Sequence, residues 1–235
     1  MIAQTKGLKL LLFISCLAGL TAVFLFRRNL AAEAYMLQYF GFISEELIYG
    51  KLTVDAVKEI FSIPLVGLIY FDFFDLVNVM LLGILFTPVI YFTYRKWQWL
   101  GILSVLLLAG CLVFYAISNL ALPLYINLHD PEKLREILSQ MPRRAITGEI
   151  SVFLLYALGL LITVMTKKLN LFSRYTYAFG LLTNVIGLLY FPLFFVIGEF
   201  RYLAIAAAAP FTVIWHANLA FHLNALRKKS ERLAE

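Results

Sequence analysis

Six stretches of this chain run without a single Asp, Glu, Lys or Arg: 10–26, 76–94, 97–129, 150–166, 175–198 and 202–226. A helix needs roughly 20 mostly apolar residues to cross a hydrocarbon layer about 30 Å thick, and each stretch is long enough for one such crossing. Backbone groups in lipid must be satisfied within their own segment, so these stretches fold as helices. Period-two alternation at strand length, the mark of a membrane barrel, does not occur. The third stretch exceeds one helix but is too short for two with a turn. It is expected to cross over about 97–119 and to leave the layer at Pro123.

Composition agrees with this reading. The chain is 62% apolar and 14% charged, against about 25% charged in a soluble domain. Its 21 Phe and 13 Tyr would not fit on a soluble surface. An ordinary soluble enzyme, a disordered chain and a disulfide-stapled secreted module are excluded. The expected fold class is all-α, an integral membrane six-helix bundle with short amphipathic helices in two long outer loops. It forms a single multi-pass domain over 1–235, with spans at about 8–26, 72–94, 97–119, 148–166, 174–198 and 202–225. The stretch 60–71 is apolar but short, and Pro64 and Gly67 interrupt it. It reads as an interfacial or partly inserted helix ahead of the second span, with a seventh span as the alternative.

Charge sets the orientation. With a cytoplasmic N-terminus, the inner segments hold 11 basic residues and two acids, Glu231 and Glu235, while the outer side holds nine basic and 12 acidic residues. Short loops flanked by Lys and Arg belong in the cytoplasm. Both termini are therefore expected there, in a bacterial plasma membrane, although Arg27-Arg28 after the first stretch pulls the other way. Trp97, Trp99, Tyr91, Tyr94, Tyr175 and Tyr177 sit where an interfacial aromatic belt belongs. The net charge of +6 reads as topology plus attraction to anionic lipid. Membrane lipids are the expected partners, and no nucleic acid is expected, because the short tail 227–235 is the only candidate basic element outside the layer.

Lys6 and Lys9 precede an apolar core longer than the 7–15 residues usual for a signal peptide, and no clear cleavage site follows, so an uncleaved first span is expected. Cys16 and Cys111 fall mid-span and read as small apolar side chains. His216 and His222 are six apart on one helix and face different ways, and His129 lies in an outer loop. No metal and no cofactor is expected.

Outside the spans, Thr53 can cap a helix whose apolar side carries Val54, Val57, Ile60 and Phe61. Asp130 caps a second, Pro131 takes its first position, and Leu134, Ile137, Leu138 and Met141 form its apolar stripe, ending near Pro142. Such helices lie on the interface or over the mouth of a bundle.

Intramembrane ionisable groups are costly and are candidate sites by default. Asp72, Asp75 and Asn78 form a polar face at the outer end of the second span, and Glu149 lies at the outer end of the fourth. These four are the candidate ligand- or ion-binding residues. Arg143, Arg144, Glu199 and Arg201 are the candidate ion-pair partners. The simplest account of the carboxylates is structural: acids near a helix N-terminus are favourable by about 0.3–1 kcal/mol. Buried Asn184 and His216 read as joints between helices. Pro88, Pro192 and Pro210 predict kinks in their helices.

The order of features resembles a bacterial family of six-span membrane proteins known as domain of unknown function 4386. The shared pattern is a long loop after the first span, Asp72-Phe73-Phe74-Asp75-Leu76 opening the second, and 130–141 followed by Gly148-Glu149 opening the fourth. Phe172-Ser173 and Gly180-Leu181-Leu182-Thr183-Asn184 follow in the fifth, then Ile214-Trp215-His216, Leu223 and Leu226 in the last. The resemblance implies the six-span topology and no reaction or ligand. The expected function is that of a non-enzymatic accessory or interaction protein with a membrane-protein partner. The alternatives are a small transporter or binder of a cation or amine in an outward-facing cavity, and a membrane-embedded enzyme using paired carboxylates.

Overall fold

A computed structural model describes residues 6–40, 52–196 and 202–232. Among them the chain is helical, in ten segments: α1 Lys6–Phe40, α2 Val54–Ile60, α3 Pro64–Tyr70, α4 Phe73–Lys96, α5 Gln98–Ser118, α6 Ala121–Ile126, α7 Pro131–Ser139, α8 Met141–Lys168, α9 Arg174–Val196 and α10 Tyr202–Arg232. Four segments among the described residues are long and apolar enough to cross a membrane: Lys6–Arg28 within α1, α4, Gln98–Ile126 spanning α5 and α6, and α8. A helix that is hydrophobic all round must be buried in protein or lipid. On α5, Leu103, Val105, Leu106, Val113 and Ile117 remain exposed, a face that only lipid or another protein would tolerate.

The long helices follow one another around a closed circuit. α1 packs on α4 and α10, α4 on α5, α5 on α8, α8 on α9, and α9 on α10, while α4 and α8 also touch. The circuit encloses a core filled by large side chains: Leu12, Leu85, Phe86, Leu158, Ile162, Trp215, Leu219 and Leu223. Sparse polar links join neighbours. Ser15 Oγ donates to the Ile84 carbonyl at 2.8 Å, and Ser151 Oγ donates to the Cys111 carbonyl at 2.8 Å.

A second apolar core sits at one end of the circuit. The short helices α2, α3, α6 and α7 bury Val57, Ile60, Phe61, Phe71, Leu124, Leu134 and Leu138 against one another. Phe61 and Phe71 stack with ring centroids 5.4 Å apart. The loops thus fold together as a cap with an interior of its own.

Several expected boundaries shift. The first helix does not end at Arg27 but continues to Phe40, which at 1.5 Å per residue extends about 52 Å, well beyond a hydrocarbon layer. The expected single helix over 60–71 is instead the end of α2, a break at 61–63, and the seven-residue α3 opened by Pro64. That length rules out a seventh crossing there. The 131 helix ends at Ser139, near Pro142 as expected, and Pro142 itself lies in the first turn of α8, where its missing N–H costs nothing. The third stretch leaves its long helix at Asn119, as the expected crossing over 97–119 has it, while Pro123 lies inside the short α6. The two expected caps are present: Thr53 Oγ1 accepts from Ala56 N at 3.2 Å, and Asp130 Oδ1 accepts from Lys133 N at 3.1 Å.

Candidate functional site

Of the polar residues singled out from the sequence, Asp72, Asp75, Asn78, Arg143, Arg144 and Glu149 lie toward the capped end of the circuit. α3 must turn into α4 within two residues, and Asp72 makes that turn with φ 61° and ψ 24°. This is the left-handed region, which Asp and Asn enter more readily than other side-chain-bearing residues. Asp75 lies half-buried in the first turn of α4, and Asn78 follows one turn later, buried. The Asn78 Oδ1 accepts no hydrogen bond among the described residues.

Asn119 was not among the expected site residues, yet it ties this end together. It ends α5 and is buried. Its Nδ2 donates to the carbonyls of Phe71 at 3.3 Å and Asp72 at 2.9 Å. Arg144, on the first turns of α8, donates through Nη1 to the carbonyls of Ile117 at 3.3 Å and Asn119 at 3.5 Å, and through Nη2 to Gln140 Oε1 at 3.2 Å. Asp72 and Arg144, expected as acid and ion-pair partner, are therefore linked through the amide and carbonyl of Asn119. The sequence signal was modest: Asn119 is a lone amide just ahead of Leu120-Ala121-Leu122-Pro123.

Glu149 follows a different course. It is half-buried on α8 and accepts a hydrogen bond from Tyr190 Oη on α9 at 3.2 Å. Arg143 is exposed. Glu199 and Arg201 lie outside the described residues. The structure thus joins Asp72 with Arg144 on one side and Glu149 with Tyr190 on the other.

Deeper in the circuit, α8, α9 and α10 meet at a polar joint. Asn184 Nδ2 donates to the Gly180 carbonyl at 2.6 Å and reaches Thr163 Oγ1 at 3.4 Å. Thr163 Oγ1 donates to the Gly159 carbonyl at 2.8 Å. A Cβ on Gly159 would overlap the Asn184 amide, and one on Gly180 would lie 2.5 Å from Trp215 Nε1. The glycines let the backbones close on these side chains, which is how small residues and amides join membrane helices. His216 packs on the rings of Trp215 and Phe86, whereas His222 Nδ1 pairs with the Asn218 carbonyl at 2.7 Å. Cys111 Sγ lies 3.4 Å from Ser151 Oγ. Among the described residues no group of three or more His, Cys, Asp or Glu side chains could hold a metal ion.

The opposite end of the circuit carries cations on aromatic rings. Lys96 Nζ lies 4.6 Å and Lys168 Nζ 6.0 Å from the Trp97 ring centre. Lys167 Nζ lies 4.3 Å from the Tyr177 ring centre. The Arg227 guanidinium lies 5.2 Å from that of Phe13.

No protein-family model, no curated protein sequence and no solved structure matches the chain.

Proposed function

We propose that this chain is a non-enzymatic membrane protein that crosses the bilayer six times, keeps both termini in the cytoplasm, and serves as an accessory or interaction subunit of a bacterial plasma membrane. α9 and α10 supply the fifth and sixth crossings, since α9 carries 175–196 of the fifth uncharged stretch and α10 carries the whole of the sixth, 202–226. The end bearing Arg95, Lys96, Lys167, Lys168 and Arg174 faces the cytoplasm, in line with the inward bias of short basic loops. The cap then faces outward. This topology is also that of the family the sequence resembles.

The observation that carries the functional reading is the filled centre of the circuit. Trp215, Phe86, Leu85, Leu158, Ile162 and Leu219 are each no more than 1% exposed, and α4 and α8 run unbroken past them. Transporters typically bind at mid-membrane between interrupted helices. Here Ser15, Ser151 and Asn184 instead make bonds between neighbouring helices. At the capped end, Glu149 is engaged by Tyr190 and Asp72 supplies a backbone turn, which speaks for structural carboxylates rather than a ligand cradle.

Asp72→Asn combined with Asp75→Asn should leave the level of folded protein and its co-purifying membrane partners unchanged. Substitution of Leu106 and Val113 on the exposed α5 face by Ser should release those partners. A cation or amine that raises the unfolding temperature of the wild type, but not of Asp75→Asn, would instead establish a ligand site and defeat this reading.

A further inference from the structure

We infer that the corner formed by the α4–α5 and α8–α9 turns is a binding site for the phosphate head group of an anionic phospholipid. The inference rests on the membrane reading above and goes further by naming a lipid class and a place. The corner is built, not merely charged. Trp97 is the single residue between α4 and α5, and its N–H donates to the Thr93 carbonyl at 2.6 Å. So sharp a reversal requires Gly101, where a Cβ would stand 2.6 Å from Tyr94 Cα and 2.9 Å from Tyr94 N. Across from it, α8 closes with Asn170 at φ 51°, Asn170 N–H bonding to Lys167 O and Leu171 N–H to Thr166 O. That paired pattern is a Schellman close, and it fixes the last turn that carries Lys167 and Lys168.

These two turns place Lys96 and Lys168 on one indole, with Lys167 held against Tyr177. The three lysines and Arg174 are exposed, and among the described residues none of the four forms a salt bridge. α5 and α9 also begin here, so two helix N-termini add partial positive charge. Trp97 is half-buried while Trp99 and Tyr175 are 82% and 76% exposed, an aromatic shelf at head-group depth. Ammonium groups gathered on aromatic rings, unmatched by carboxylates, present donors to a phosphodiester while the aromatic faces receive the glycerol and upper acyl chain.

The test titrates the purified full chain in neutral detergent with phosphatidylglycerol or phosphatidylcholine and counts bound lipid by native mass spectrometry. Phosphatidylglycerol should bind preferentially. Lys96→Gln with Lys168→Gln should weaken it about thirtyfold, given what each juxtamembrane lysine contributes. Lys133→Gln with Arg135→Gln, which removes the same charge from α7 in the cap, should leave binding unchanged. Equal binding of the two lipids, or unchanged binding in the Lys96 and Lys168 variant, would overturn the inference. Inorganic phosphate that occupies the corner at millimolar concentration, undisplaced by lipid, would assign it to a soluble anion and also overturn the lipid site. The membrane reading fails separately, in the labelling experiment that closes the Discussion.

Discussion

The side-chain amide of Asn119 donates to the main-chain carbonyl of Asp72 across 2.9 Å, joining the end of α5 to the start of α4. A second bond from the same nitrogen reaches Phe71 O at 3.3 Å. Asn119 and Phe71 are buried, so Asn119→Ala would leave the Phe71 carbonyl short of this donor in a place water reaches poorly, while the Asp72 carbonyl keeps the Leu76 N–H at 3.2 Å. Leaving a buried polar group unsatisfied costs about 1–3 kcal/mol. Reversible unfolding of Asn119→Ala in mild detergent should show a loss of that size, with Asn119→Asp no better, since a carboxylate offers no donor.

Asp72 occupies its position for its backbone. Its φ of 61° lies in the left-handed region, which costs an ordinary side-chain-bearing residue roughly 1–2 kcal/mol. Asp72→Gly and Asp72→Asn should therefore fold as well as the wild type, while Asp72→Val should lose about that amount. If Asp72→Gly and Asp72→Val were equally harmful, the carboxylate itself would be the important group.

Two substitutions in the deep joint should separate polar linkage from packing. Hydrogen bonds between membrane helices are worth only about 0.6–2 kcal/mol, so Asn184→Ala should be mild. Trp215 is 1% exposed and touches Phe86, and its truncation to Ala should cost about 3–5 kcal/mol. Unfolding of both variants under one set of conditions checks the order.

The cap has its own interior and should lose stability on its own. Leu134 is fully buried there, and Leu134→Ala should cost about 2–5 kcal/mol. Because the damage lies in the second core, hydrogen exchange should speed up in α2, α6 and α7 while amides of α4 and α8 stay protected.

Much of this architecture is written in local chemistry. Uncharged stretches announce the long helices, and Thr53, Asp130 and Pro131 announce the starts of α2 and α7, because a cap needs only neighbours in sequence. Other features depend on distant partners and leave weaker local signs. The continuation of α1 past Arg27-Arg28 follows no break signal in either direction, since both residues form helix well. Asn119 gains its role only because α3 and α8 arrive beside it, and the coalescence of two loops into one cap depends on their meeting in space. In the sequence Asp72 stands out by its charge, whereas its torsion angle explains it, and a torsion angle has no counterpart in residue type alone. By sequence Glu149 groups with the α4 carboxylates, but its partner Tyr190 comes from α9, a pairing fixed by helix order around the circuit.

The central claim, that the cap and the basic corner lie on opposite faces of a membrane, is tested most directly by labelling single cysteines in intact cells with a thiol reagent that cannot cross lipid. The native Cys16 and Cys111 are buried and should stay silent. Asp130→Cys, at the start of α7, should react from outside. Lys168→Cys and Lys229→Cys should react only after the cells are opened. Labelling of position 229 in intact cells, or protection of position 130 there, would contradict the account.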